Sequence, residues 1–444
     1  MLKKLLKIFS GIIILILLLL VSLVTVIDMT PYQKMDYYKK WESNLGQFKE
    51  FESSSSGDSL SIGFTKVSLT PPSPTPMAGY GKRKGKHFES VHDSIWVRTL
   101  RLKKGSLQVA IVSADLLIIP PSVKDLVEKE IGENLQIYYG ATHSHNSIGA
   151  WYNTLVGELF AGKYNPEIEK FIADQIVKSI KQSAGNLQPV EEMTYHKDFD
   201  DKDVKNRLIE NGEKDAFIRS IDFKTADQRI ALVTYSAHST VLNSANMALS
   251  RDYPGVLVDS LENEGYDFAT YLAGPVGSMG PVEKGQEGFG EMNDQAVHVM
   301  HEFVSEDELT RQQTIAGDMS FVKLPLPLRK PSPRISTKFA LRPWVFKWLF
   351  GDAPSYITAL KLDNMLLIGM PCDFSGELME ELENYASQKG MQLIITSFNG
   401  GYAGYITADE HFERNAYETI TMNWFGPYNG AYFSEAVRDI IDHI

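Results

Sequence analysis

The sequence predicts an α/β fold: a single large domain with a central β-sheet flanked by helices, preceded by one N-terminal transmembrane helix. Three observations predict it. Runs rich in β-branched and aromatic residues alternate with segments of helical spacing. That alternation continues from Ile62 to the C-terminus without a clear break. An uncharged apolar stretch follows a lysine cluster at the start of the chain, and 444 residues leave room for such an appendage beside one large domain.

The opening "MLKKLLKIFSGIIILILLLLVSLVTVI" places Lys3, Lys4 and Lys7 in a basic stub, residues 1–7. Residues 8–27 carry no charge, and about 20 such residues span a bilayer. Positive residues stay cytoplasmic, so the rest of the chain is expected outside. The stretch lacks an A-x-A-like site, which favours an uncleaved signal anchor. Residues 28–60 are polar, end in "ESSSSGDSL", and read as a juxtamembrane linker. Residues 61–444 then form the folded domain. "LQVAIVSADLL" (107–117) and "LQIYYGATH" (135–143) read as buried strands around the helix "PSVKDLVEKEIGEN", a strand–helix–strand unit. "PEIEKFIADQIVKSIKQSAGN" (166–186) is an amphipathic helix closed by Gly185. Three more strands are expected in 229–240, 363–374 and 391–401, and no internal repeat is visible. "WVFKWLF", after a Pro-rich basic stretch, is either an ordinary core-packing helix or a segment that dips into a headgroup layer.

Composition narrows the function. A net charge of −12 argues against nucleic acid as a partner, because phosphate binding needs a basic face. The single cysteine, Cys372, permits neither an intrachain disulfide nor a thiolate cluster. Any metal must therefore use histidine and oxygen. His143 and His145 stand at i and i+2, which on a strand would face one side. His143, His238, Asp373 and Tyr405 all fall at the ends of expected strands, where open α/β sheets place their ligands. Two imidazoles with oxygen donors suit zinc, which acidifies bound water towards a pKa of about 7. No G-x-S-x-G elbow is present, against a serine hydrolase.

From Ile62 onward the order of motifs resembles the catalytic domain of neutral, non-lysosomal ceramidases. The resemblance is carried by "GFTKVSLTPPSPTPMAGYG", "SADLL", "GATHSHNSIGA", "AHSTVLNSAN", "GPVGSMGPV", "GMPCDFSGEL" and "GGYAGYITADEHFERNAYE…FGPY". It implies a zinc amidase that cuts the N-acyl bond of ceramide or a related lipid. It further implies His143, His238, Asp373 and Tyr405 as metal ligands, with His145 and Arg207 at the substrate carbonyl. Asp115, at the end of "SAD", is either a residue that orients a ligand histidine or a capping aspartate. Two departures stand out. "PCDF" offers Asp373 where the family has a glutamate, with Glu377 as a fallback if that segment is helical. Gly280 falls on the family's serine, which leaves Ser278 as the nearest catalytic hydroxyl. Water activated by the metal needs no protein nucleophile. Longer family members carry an immunoglobulin-like domain beyond "FGPY", and the sequence stops soon after, at Ile444. Two alternatives stay open: a silent, membrane-tethered lipid-binding protein on the same fold, and a hydrolase of another amide or ester. Acyl length, head group and oligomeric state are not readable from the sequence.

Overall fold

The computed structural model describes residues 2–46, 52–53, 58–285, 287–303, 310–314 and 317–444. Its α-helices are α1 (Leu2–Leu23), α2 (Asp36–Gly46), α3 (Pro121–Ile131), α4 (Leu155–Ala161) and α5 (Pro166–Gln182), then α6 (Asp252–Asn263), α7 (Phe289–Phe303), α8 (Pro343–Phe350), α9 (Met379–Gln388) and α10 (Asn429–His443). The α/β class holds, with the β-structure of the described residues divided among three five-stranded sheets and four two-stranded ones.

Each five-stranded sheet contains the same unit. An antiparallel hairpin leads through a helix to a third strand that pairs parallel with the hairpin's second strand. The first unit is Trp96–Lys104, Leu107–Ala114, α3 and Gln136–Ala141. The second is Phe217–Lys224, Arg229–Tyr235, α6 and Phe268–Ala273. The third is Tyr356–Leu362, Met365–Gly369, α9 and Gln392–Thr396. A parallel pairing requires a crossover of this length, and the helix supplies it. No repeat was legible because the units share backbone topology rather than residues. Leu100, Ile111 and Tyr138 of the first sheet meet Ile221, Leu232 and Leu272 of the second and Leu360, Leu367 and Ile394 of the third in one core. Burial of each such side chain contributes about 1.5–3 kcal/mol. The strand–helix–strand expectation over 107–143 is met. The helix at 166 is also present, capped by Asn165 at its start but ending at Gln182, before Gly185.

The N-terminal segment departs from expectation in two places. The helix stops at Leu23, and Val24–Val26 leaves it to pair antiparallel with Phe339–Leu341. Residues 28–60 are not a linker throughout. Tyr32, Tyr37 and Trp41 are buried, and Trp41 Nε1 donates to Asp439 Oδ2 of α10 at 2.7 Å. The i, i+4 pair Tyr37 and Trp41 makes α2 amphipathic, a signal hidden by the segment's polar average. Much of "ESSSSGDSL" lies outside the described residues. In α8, Val345 and Phe346 are core residues, while Trp344 and Trp348 are exposed.

A buried ionic network ties the second sheet to α9. The Arg219 guanidinium forks onto both oxygens of Asp215, at 2.8 Å each, and its Nε reaches Glu383 Oε1 at 2.7 Å. Arg219→Met would strand Asp215, whose side chain is 1% exposed. Breaking a buried pair from one side costs about 3–5 kcal/mol. The expected result is a fall of that size in unfolding free energy, measured by denaturant titration.

Candidate metal centre

The site forms where the three units end. His143 lies two residues past Gln136–Ala141, His238 three past Arg229–Tyr235, and Asp373 four past Met365–Gly369. The histidines are loop residues, so the i, i+2 argument for His143 and His145 fails in its premise, whereas Asp373 opens the short strand Asp373–Phe374, which pairs parallel with Tyr405–Ile406. His143 is left-handed, with φ 62°, as are Ser278 at 61° and Phe398 at 66° beyond the third strands of the other two units. A non-glycine residue held there costs about 1–3 kcal/mol, a strain that collects at functional sites. The turn nevertheless brings the two rings together. His143 and His145 stand perpendicular with centroids 4.8 Å apart, and their Nε2 atoms are 3.3 Å apart.

Backbone carbonyls fix the tautomers. His143 Nδ1 donates to Leu117 O at 2.6 Å, and His238 Nδ1 to Val276 O at 2.7 Å. Both Nε2 lone pairs are left facing the same point. Asp373 Oδ1 lies 3.5 Å from His143 Nε2 and 3.4 Å from His238 Nε2. Its other oxygen accepts from Tyr402 OH at 2.8 Å. Tyr405 OH lies 2.9 Å from His238 Nε2 and accepts from Arg207 at 2.9 Å. Arg207 is held in turn by Glu418 Oε1 at 2.8 Å.

Burial, with His238 nearby, pushes His143 down to about 3. Burial likewise holds His145 and His238 well below their ordinary value. Three neutral imidazoles are the form a metal requires. Burial raises the Asp373 carboxyl, against the pull of His143 and Tyr402. Burial also opposes the Arg207 charge, but Tyr405 and Glu418 outweigh it.

The donor set fits a metal ion. The three histidines offer nitrogens within 4.8 Å of one another. Asp373 Oδ1 is buried with no hydrogen-bond partner among the described residues, although buried polar atoms are ordinarily paired. The Asp373 oxygen thus faces the acceptor nitrogens of His143 and His238 at 3.5 and 3.4 Å, an arrangement of like lone pairs that a cation resolves.

Other expectations fare differently. Asp115 does not reach a histidine. Its Oδ2 accepts from Trp96 N at 2.8 Å, and the Leu117 carbonyl performs the orienting task instead. Glu377 is no fallback, because Asn206 and His411 already occupy it at 2.7 and 3.1 Å. Ser278 is buried outside the ring of residues lining the histidine cavity, and its carbonyl accepts from Arg207 N at 2.9 Å. A Cβ at Gly280 would meet only Arg207, at 3.7 Å, so a larger residue fits there. The basic segment "GKRKGKH" (81–87) carries the buried Arg83, which binds Asn146 Oδ1 and Asn246 O at 2.8 Å and also the His145 carbonyl. Glu418, Leu117 and Arg83 left no signal in the sequence, because each acts through a contact that only the fold creates.

His143, His145 and Tyr405 sit at the wall of a cavity otherwise apolar and aromatic, including Trp151, Phe160, Phe350, Tyr417 and Trp424. No curated protein matches the chain. Among solved structures, the neutral ceramidase from Pseudomonas aeruginosa superposes with a TM-score of 0.74 at 16% identity, over 86% of this chain and 74% of that one. A ceramidase complexed with C2 gives 0.72 at 16% identity, over 86% and 75%. At such identity these two likenesses speak for the fold. Residues 61–288 match the family described as neutral/alkaline non-lysosomal ceramidase, N-terminal, and the chain belongs to that family.

Proposed function

We propose that the protein is a zinc-dependent amidohydrolase that cleaves the N-acyl bond of ceramide or a related N-acyl lipid. The observation that carries this reading is the convergence of His143, His238, Asp373 and Tyr405 beside an apolar cavity, whose wall His143 and Tyr405 help to form. The four would hold the ion. Bound there, zinc supplies Lewis acidity and an acidified water. The aromatic walls take the acyl chain and exclude bulk water. His143 Nε2 can only accept, so His145 Nε2 carries the proton between them. With the His143 lone pair on the ion, that N–H is released and, with the Arg207 guanidinium, would stabilise an oxyanion, at roughly 3–4 kcal/mol per donor in favourable cases. In this reading His145 is a donor to substrate rather than a ligand.

Family membership and the ceramidase fold support the amide over other bonds. The test is release of fatty acid from ceramide by the full chain, stripped of metal and then titrated with zinc. Zinc-dependent release is expected. Bound zinc without release would redirect the search to another amide or ester. No zinc uptake would favour the silent lipid-binding reading.

Gly79 gives a separate check on His145. Its φ is +109°, and an added Cβ would lie 2.8 Å from His145 Nδ1. Gly79→Ala is expected to displace the ring and lower kcat about a hundredfold, the usual cost of a 1 Å misplacement. Zinc content, measured by atomic absorption, is expected to stay unchanged. Loss of the metal in that variant would make His145 a ligand.

A further inference from the structure

We propose that the exposed faces of α4 and α8 lie in the bilayer leaflet at the C-terminal end of α1, and that an acyl chain passes from this leaflet into the cavity between them. This rests on the amidase reading above and on α1 as a membrane helix. Among the described residues α1 is the one helix long and apolar enough to cross a membrane, over Lys3–Leu23.

The two helices are neighbours, and each is apolar on two faces. Outward, α4 presents Leu155 and Leu159, 55% and 61% exposed, and α8 presents Trp344 and Trp348, 53% and 64% exposed. Both pairs are spaced i, i+4, so each forms one stripe. Inward, Val156 and Phe160 of α4 and Phe350 of α8 line the cavity that holds His143 and Tyr405. The route from the exposed stripes to the site is therefore one helix thick and apolar on both sides. A water-soluble substrate would have no use for such an entrance, and adjoining exposed apolar stripes mark an interaction surface.

The occupant follows from how α1 is joined to α8. No free tether separates them. Arg342, immediately before α8, donates from N to Leu23 O and from Nε to Val21 O, each at 2.9 Å. Trp344 Nε1 donates to Ser22 O at 3.1 Å. The last carbonyls of α1 are thus capped by the first turn of α8, and the chain beyond pairs with Phe339–Leu341. Wherever α1 ends in a bilayer, Trp344 sits at that depth, the level that tryptophan favours. Lys82, Lys84 and Lys86 are exposed on the loop packed against the end of α4, suited to headgroup phosphates on a chain that is acidic overall.

The full chain, reconstituted into phosphatidylcholine vesicles with brominated acyl chains, tests the placement by tryptophan quenching. Trp41, Trp151 and Trp424 are buried and Trp96 half-buried. Quenching in the wild type is expected, and its loss in W344F/W348F, which keeps the face apolar. Equal quenching in both, or none in the wild type, overturns the placement. Leu159→Asp with Trp348→Asp tests the entrance. Hydrolysis of long-chain ceramide in the vesicles should fall at least about tenfold, with an N-acetyl analogue in solution cleaved within about twofold of wild type. Equal loss on both substrates overturns the entrance. If the wild type cleaves neither amide, the amidase reading fails, and the quenching result still decides the placement.

Discussion

His238→Ala is expected to lose the bound zinc and at least a hundredfold of activity while the fold survives. Removing even an outer partner of a metal ligand costs about 10–100-fold in affinity or activity, and the ligand itself contributes more. The control for folding is built into the site. His238→Ala removes the imidazole donor from the Met279 carbonyl, while Val276 O keeps the Met279 N–H, at about 1–3 kcal/mol for an unsatisfied buried group. His143→Gly acts in the opposite direction on stability. At φ 62° glycine relieves left-handed strain, worth about 1–2 kcal/mol, though the Leu117 carbonyl loses its partner. The two variants should therefore differ in melting temperature yet agree in having no zinc. Zinc retained in either one removes that residue from the ligand set. Activity that tracks melting temperature rather than zinc content would mean a structural role for both.

How much of this was legible in the sequence differs by kind of feature. Strands and crossover helices showed because their periodicity is local, as in 107–143. The convergence of His143, His238, Asp373 and Tyr405 was legible from the residues as four polar side chains at strand ends, and as a ligand set through the family resemblance alone. The reason they meet, three repeated units around one core, lies in topology that no single stretch encodes. Positive φ at His143, Ser278 and Phe398 was invisible, since none is glycine. Asp115 was left between orienting a histidine and capping backbone, and it accepts from the Trp96 N–H, whereas the Leu117 carbonyl that orients His143 is supplied by backbone alone. The α2 packing was missed for a different reason. Its polar composition resembles a linker, and only its pairing with α10 gives Tyr37 and Trp41 a surface to bury against.

Asp373→Asn carries the second prediction, and its sign separates a ligand from a structural residue. In the metal-free protein Asp373 Oδ1 is unpaired and fully buried, and it faces His143 Nε2 and His238 Nε2, which accept from His145 and Tyr405. Burying an uncompensated charge is costly. An amide in place of the carboxylate removes the buried charge and turns a donor rather than an unpaired acceptor towards the two imidazoles, while its carbonyl still accepts from Tyr402. Metal-free Asp373→Asn is therefore expected to be more stable than metal-free wild type, by about 1–3 kcal/mol. With zinc the order reverses. Wild type gains RT ln(1 + [Zn]/Kd), about 4 kcal/mol at a thousandfold excess over Kd, and the variant gains little. Thermal unfolding with and without zinc measures all four states. A metal-free variant less stable than wild type, still raised by zinc, would show Asp373 to be a structural anchor for Tyr402 and would leave the ion to the histidines and Tyr405. The same experiment on Asp373→Glu bears on the family's longer side chain. One added methylene in a fully packed site costs about 1–3 kcal/mol, so that variant should bind zinc only if the added reach offsets this strain.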